Sequence, residues 1–261
     1  MNIMSIIKNA VKYPFTDWKK ILILGFIMLF STVNVFFIFS FQINIVLFLI
    51  GLLISFFVLG YVFRIIRSSL DGANELPKFN SWNGMFKDGV KIYVVQLVYL
   101  IPIIFITSIF SSSFLGLISN PSPLGSFPFY LEEIIRTLFG GTPIASHLWL
   151  WVSILIISLY LFLIIPILFM GLVNMVKNNG KLHTAFNFRE IFHKITNNGL
   201  KPLIIWYLAI VIPFSIIFLI AQNLYIGDIY RSLGHVLLQV IGFSYLAMYL
   251  YRLVTLFYKS E

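Results

Sequence analysis

The sequence has no cysteine, and this absence excludes disulfide bonds, thiolate metal sites and cysteine nucleophiles. It has only 4 histidines, and no two stand three or four residues apart, the spacing that places two metal ligands on one helix face. Acidic residues number only 9, and the adjacent Glu132 and Glu133 would diverge on a helix rather than act as a general acid–base pair. Glycine-rich phosphate loops are also missing. We therefore expect no metal, no cofactor and no enzymatic activity.

Charged residues of either sign are scarce as well. They make up 10% of the chain, whereas soluble domains carry about 25%. Apolar residues make up 60%, and the mean hydropathy is +0.97. A helix needs about 20 apolar residues to cross the hydrocarbon core of a bilayer. Six segments meet this length and predict an all-α, polytopic membrane helix bundle that forms a single domain over residues 1–261: roughly 21–39, 43–63, 92–118, 148–173, 202–221 and 236–257.

The basic residues are distributed unevenly between the two sides of this topology. Sixteen of the 18 Lys and Arg residues fall on one side, and Arg136 and Arg231 are the two exceptions. An excess of Lys and Arg marks the cytoplasmic side. The pattern predicts a multi-pass protein of the plasma (cell) membrane with both termini in the cytoplasm. Anionic headgroups attract such residues by about 1 kcal/mol each, which accounts for the net charge of +9 without nucleic acid.

Short amphipathic segments lie between the spans on the predicted cytoplasmic side. Each has a basic polar face and an apolar face at helical spacing, which is typical of a helix lying in the membrane interface. Asn187 and Glu190 resemble a capping box at the start of one of them. Gly72 and Gly180 are predicted to end the second and fourth spans as C-caps. The predicted interfacial helices are roughly 2–13, 81–91 and 187–197.

Basic and acidic residues near these helices are candidate contacts for anionic lipids or for a membrane or cytoplasmic protein partner. Arg252 lies deeper in its span than the others and is expected to be a counter-ion or lipid contact, to snorkel to the surface, or to pair with Asp17 or Asp71. The candidates are Arg64, Arg67, Asp71, Glu75, Lys87, Lys91, Arg189, Lys194, Lys201 and Arg252.

Three prolines fall near the middle of predicted spans: Pro102, Pro166 and Pro213. A proline frees a carbonyl and kinks a helix, so these positions are candidate kinks around a midplane cavity. Uncharged polar residues within the spans are expected mainly to form hydrogen bonds between helices. They are Asn34, Gln96, Tyr99, Tyr160, Asn174, Gln239 and Ser244.

A family resemblance is carried by residues 12–20 (KYPFTDWKK), 60–64 (GYVFR), 69–72 (SLDG) and 75–77 (ELP), followed by Phe79. Together they resemble an uncharacterised prokaryotic family of polytopic membrane proteins, common in methanogenic archaea and known as domain of unknown function 4013. The resemblance is specific in residues 10–90. It implies several spans, residence in the plasma membrane and no assigned activity, and it marks the loop from Asp71 to Phe79 as a signature.

Two purposes remain open for that loop, and two for the whole protein. The loop either has a structural purpose or is a recognition surface for a cytoplasmic partner. The protein is predicted to be a non-enzymatic membrane organiser or accessory subunit that binds lipids or membrane partners through a basic cytoplasmic face. The alternative is a permease-like or lipid-translocating protein, which the mid-span prolines and a weak parallel repeat favour.

Overall fold

The computed structural model of the protein describes residues 3–31, 45–109, 144–197, 199–225, 234 and 236–260. Within these ranges the regular secondary structure is entirely helical. Eight α-helices are described: α1 (Ile3–Lys12), α2 (Trp18–Ser31), α3 (Ile45–Leu70), α4 (Trp82–Ile109), α5 (Ile144–Lys177), α6 (Phe188–Asn197), α7 (Leu200–Tyr225) and α8 (Ser244–Lys259). Short 3₁₀ turns lie at Pro14–Thr16 and Leu182–Phe186, and a π-helical turn at Leu238–Phe243 leads into α8.

Four of the described helices are long and apolar enough to cross a membrane. They cover Ile45–Leu70, Ile154–Lys177, Lys201–Ala221 and Leu238–Lys259, and they correspond to the second, fourth, fifth and sixth predicted spans. These four helices indicate a membrane-embedded protein. The predicted spans 21–39 and 92–118 extend past Ser31 and Ile109 and lie partly outside the described residues.

The predicted interfacial helix at 81–91 is not a separate element. Residues 82–109 form one continuous helix, α4, because no proline stands between Trp82 and Lys91 to break it. Its first turns pack against α3, where Gly60 lies against the backbone of Met85 and Gly89 lies against the backbone of Phe56. The apolar face of residues 81–91 is therefore used in part for helix packing.

The other two short helices form as separate elements. In α1, Ile6 and Ala10 are fully buried, and the helix packs on α8. In α6, Ile191 is buried, and the backbone N–H of Glu190 donates to Asn187 Oδ1 at 3.5 Å, as the capping box predicts. Whether either helix lies in a membrane interface stays a prediction.

Left-handed residues end α3 and α5: Gly72 as predicted, and Asn179, with a φ of +58°, just before the predicted Gly180. Gly72 has a φ of +83°, and the N–H of Ala73 donates to the Ser68 carbonyl at 2.9 Å, which completes a Schellman motif. At the end of α5, Gly180 has a φ of +73°, and its N–H donates to the Met175 carbonyl at 2.8 Å. Both turns satisfy carbonyl groups that a helix end leaves without partners.

Contacts divide the chain into two compact units, Met1–Val95 with Ile167–Glu261, and Gln96–Pro166. The single domain over residues 1–261 stays a prediction. In the larger unit α8 is central and contacts α1, α2, α3 and α7. In Leu238–Lys259, 72% of an apolar stretch of 18 residues is buried inside the protein, whereas the same share is at most 22% in the other three spans. The last span is therefore enclosed by the protein. In the smaller unit, the hydroxyl of Tyr160 donates to the Tyr99 carbonyl at 2.6 Å.

Candidate functional site

Arg252, on the central helix α8, is bound by uncharged groups. It is 2% exposed. Its Nε donates to Asn9 Oδ1 at 3.0 Å, Nη1 to the Ala73 carbonyl at 2.6 Å, and Nη2 to Asn74 Oδ1 at 2.9 Å. The guanidinium also lies over the ring of Tyr13, 4.6 Å from its centroid. Arg252 thus joins α1, α8 and the segment 71–81, which we call the clamped loop.

These partners differ from those the sequence predicted for Arg252. Neither Asp17 nor Asp71 is among its hydrogen-bond partners, and the side chain does not reach the surface. Amide and carbonyl oxygens supply the acceptors instead. A cation buried in this way is stabilised by directed hydrogen bonds and by the face of Tyr13 rather than by an opposite charge.

Arg64 and Lys20 hold the far end and the middle of the clamped loop, mainly through its backbone carbonyls. Arg64 Nη1 donates to the Lys78 carbonyl at 2.9 Å and to Asn80 Oδ1 at 2.7 Å, and Nη2 donates to the Ser81 carbonyl at 3.2 Å. Lys20 Nζ donates to the Leu76 carbonyl at 2.8 Å. These cations are consequently engaged in holding the fold together.

Two tyrosines complete the attachment of the loop. The hydroxyl of Tyr13 donates to the Glu75 carbonyl at 3.3 Å, and that of Tyr61 donates to the Pro77 carbonyl at 3.1 Å. The rings of Tyr61 and Phe79 are stacked with centroids 4.0 Å apart. Burial raises the pKa of Tyr13, although its hydrogen bond to Ser68 lowers it in part. The hydroxyl therefore stays protonated and can donate its hydrogen bond to the loop.

The carboxylates of the loop, Asp71 and Glu75, are exposed, and the contacts that hold the loop involve its backbone rather than these side chains. We expect Asp71→Ala and Glu75→Ala each to change the free energy of unfolding by less than about 0.5 kcal/mol, as for other exposed substitutions. Thermal unfolding in detergent measures this effect. Crosslinking in native membranes then tests recognition: a partner lost at unchanged stability favours a recognition surface, whereas a large loss of stability contradicts a loop held mainly through its backbone.

A basic cavity of about 410 Å³ lies beside the start of the clamped loop. Its walls come from the last turns of α3, α5 and α8 and from α6, and it is open to the outside. Four basic side chains line this cavity, together with Asp71 and the ring of Tyr258: Arg67, Lys177, Lys194 and Lys259.

A buried polar network supports the wall of the basic cavity. The Tyr258 hydroxyl donates to Asn174 Oδ1 at 3.0 Å, and Asn174 Nδ2 donates to Glu190 Oε2 at 3.0 Å and to the Thr184 carbonyl at 3.0 Å. Lys177 Nζ lies 3.6 Å from Glu190 Oε1. The predicted role of Asn174, a hydrogen bond between helices, is confirmed. The network fixes the orientation of the Tyr258 ring.

The structure places the other candidate residues in different settings. Lys87, Arg189 and Lys201 are exposed. Lys91 pairs with Asp88 at 3.2 Å. Pro102, Pro166 and Pro213 each lie inside a continuous helix, α4, α5 and α7 respectively, and a midplane cavity around them stays a prediction.

Sequence reasoning missed part of the basic cavity. Arg67, Asp71 and Lys194 were candidates, whereas Lys177, Lys259 and Tyr258 were not. The available signal was position: Lys177 and Lys259 stand in the last turns of two spans, where basic side chains meet the carbonyl ends of helices. Nothing in the sequence shows that these helix ends meet.

Comparison with known proteins gives a family and no activity. A family described as protein of unknown function (DUF4013) matches residues 43–226, which is more than half of the chain. The chain belongs to the DUF4013 family. The match confirms the family and extends well past residue 90, but it begins after residues 12–20, which also carried the resemblance. It includes all of the clamped loop, and it ends before α8, which carries Arg252.

One relative of this DUF4013 protein is described as an uncharacterized protein. It is a protein of Methanocaldococcus jannaschii, 27% identical over 236 residues, and the match covers 83% of this chain and 75% of the relative. No solved structure matches this DUF4013 protein.

Proposed function

We propose that this DUF4013 protein is a non-enzymatic membrane protein that binds anionic lipids through a basic cytoplasmic face. The observation that supports it most is the surface of α6. Phe188 and Phe192 are 47% and 49% exposed, and they share this short helix with Arg189 and Lys194. Exposed aromatic and basic side chains on one short helix fit a site in the headgroup region, where the rings enter the acyl boundary and the cations meet phosphate.

The surroundings of α6 support the same proposal. The helix follows α5, one of the four apolar helices, after a short 3₁₀ turn, and it is followed by α7, another of them. We expect a short amphipathic helix between two spans of a membrane-embedded protein to lie close to the bilayer surface. Lys181 and Lys201 flank it and are exposed, so both add positive charge next to the exposed phenylalanines.

Arg189 provides the sharpest test, because it is exposed and does not line the basic cavity. In nanodiscs of equal phosphatidylcholine and phosphatidylglycerol, we expect wild-type protein released for native mass spectrometry to retain more phosphatidylglycerol. Arg189→Gln should reduce this preference about fivefold, because one surface charge contributes about 1 kcal/mol.

Arg189→Lys is the matched control, since it keeps the charge at the same position, and it should retain the preference for phosphatidylglycerol. Equal retention of both lipids by wild-type protein would contradict the proposal. So would a loss of the preference in Arg189→Lys as large as in Arg189→Gln, because that result would assign the effect to side-chain shape rather than to charge.

A further inference from the structure

We propose that the basic cavity is a binding site for one phosphate group, carried either by a lipid headgroup or by a soluble phosphate. The inference deepens the proposed lipid binding and rests on it. It concerns a single defined site with its own residues, whereas the surface of α6 would attract many lipids weakly.

The charges of the cavity favour an anion. Arg67, Lys177, Lys194 and Lys259 outnumber the two carboxylates nearby, Asp71 in the wall and Glu190, which pairs with Lys177. A phosphate monoester carries a charge of about −1.5 to −2 at neutral pH and three acceptor oxygens. Such a group can accept hydrogen bonds from several cations at once, and those bonds are stronger than bonds between neutral groups.

Helix ends at this place would otherwise oppose an anion, because the C-terminus of a helix carries partial negative charge. In this protein the carbonyls concerned are largely satisfied from within. Backbone N–H groups of the turns at Gly72 and Gly180 donate hydrogen bonds to carbonyls in the last turns of α3 and α5. In addition, Lys259 Nζ donates to the Leu70 carbonyl at 2.7 Å. We therefore expect the basic side chains to outweigh the helix ends in the cavity.

Two of the cations also contact an aromatic ring before any ligand arrives. Lys177 Nζ and Lys194 Nζ lie 5.5 and 5.3 Å from the centroid of the Tyr258 ring, which places two ammonium groups at one aromatic side chain. The Tyr258 hydroxyl is anchored on Asn174 at 3.0 Å. Preorganised donors lose less conformational entropy on binding than free lysines do, which favours a specific site over loose attraction.

The volume of the cavity fits a small polar group. A space of about 410 Å³ is within the range of small-molecule sites, roughly 300–1,000 Å³. It accommodates a phosphate group together with a short polar group, and its open side leaves room for the rest of a lipid or of a soluble ester. Asp71 in the wall would disfavour a second anionic group on the same ligand.

Inorganic phosphate is the first probe, with the protein in nanodiscs of phosphatidylcholine alone. If the source is a soluble phosphate, we expect saturable binding by calorimetry, weakened about tenfold in Lys194→Gln by loss of one charge-assisted hydrogen bond. Arg189→Gln, on the same helix but outside the cavity, makes the same change of charge and should bind phosphate like wild type.

Phosphatidic acid in phosphatidylcholine nanodiscs is the second probe. If the source is a lipid headgroup, we expect calorimetry to detect little binding of inorganic phosphate. Native mass spectrometry should then show a one-to-one adduct of phosphatidic acid. Lys194→Gln and Lys259→Gln should lose this adduct, whereas Arg189→Gln should keep it and lose only the weaker multiple adducts. Lys259→Gln serves as the second variant in case Lys194→Gln does not fold.

The site is refuted if neither probe forms a one-to-one complex with wild-type protein, or if folded Lys194→Gln and Lys259→Gln both keep the complex. The proposed function fails separately, when wild-type protein shows no preference for phosphatidylglycerol. Phosphate binding that depends on Lys194 in a protein without that preference would preserve the cavity site and reject the lipid-binding surface.

Discussion

Arg252→Leu is expected to lower the free energy of unfolding by about 3 kcal/mol or more. The substitution removes three hydrogen bonds from a charged donor, to Asn9, Asn74 and the Ala73 carbonyl, and hydrogen bonds to charged groups contribute about 1.5–3 kcal/mol each. Leucine fills part of the space but offers no donor. Thermal unfolding in detergent measures the loss as a lower Tm.

Proteolysis gives a second, local measurement of the same effect. Lys78 lies in the clamped loop and is exposed, so trypsin can cut after it once the loop leaves its place. We expect faster tryptic cleavage at Lys78 in Arg252→Leu than in wild type, at a temperature where both proteins remain folded. An unchanged cleavage rate together with an unchanged Tm would contradict the role of Arg252.

Two further variants separate hydrogen bonding from charge. Arg67→Leu removes an exposed arginine from α3 and should change stability by less than about 0.5 kcal/mol. Arg252→Lys keeps the positive charge but cannot reach three acceptors in the fixed geometry of a guanidinium, so an intermediate loss is expected. If Arg252→Lys were as stable as wild type, charge alone would explain how this side chain stabilises the fold.

The sequence predicts that Arg252 is unusual but not what it binds. Its depth in an apolar span is readable, because it stands well inside the last apolar run. Its partners lie at Asn9, Ala73 and Asn74, far away along the chain, and are uncharged. Charge complementarity points instead to Asp17 and Asp71, which is why the predicted pairing differs from the structure.

Hydropathy predicts the helices better than it predicts the boundaries between them. The apolar runs correspond to four membrane-length helices because burial in lipid requires length and low polarity, and both can be counted. An amphipathic stretch such as 81–91 has the same periodicity whether it is a separate interfacial helix or the first turns of a span. Only the packing of α4 on α3 distinguishes these cases.

The basic cavity illustrates a similar limit. Positive charge on one side of the membrane is predictable from the order of spans and loops. The meeting of Lys177, Lys194 and Lys259 around Tyr258 depends on how α5, α6 and α8 pack, and contacts this distant in sequence leave no periodic signal. The sequence consequently identifies Arg67 and Lys194 as candidates, but it does not predict that Lys177, Lys259 and Tyr258 lie in the same cavity.

Gly60→Ala is the second change with a large expected effect. A Cβ at this position of α3 would lie 1.9 Å from the Met85 carbonyl oxygen of α4, far inside van der Waals contact, and the obstructing atom belongs to the backbone. Relief therefore requires the two helices to separate. The same crossing is tight from the other side, since a Cβ at Gly89 would lie 1.8 Å from the Phe56 carbonyl oxygen. Small residues at such crossings permit close approach of backbones in membrane helices.

We expect Gly60→Ala to destabilise the protein by about 3 kcal/mol or more, at the upper end of overpacking costs, although alanine improves helix propensity by about 1 kcal/mol. Gly84→Ala on α4 is the matched control, because a Cβ there meets only the Ser81 Cβ at 3.8 Å. It should leave the Tm unchanged or raise it. Comparable Tm values for Gly60→Ala and Gly84→Ala would show that α3 and α4 do not cross at this glycine. A large loss in Gly60→Ala alone would instead establish that the first turns of α4, which the sequence assigns to the membrane surface, are packed against a membrane span.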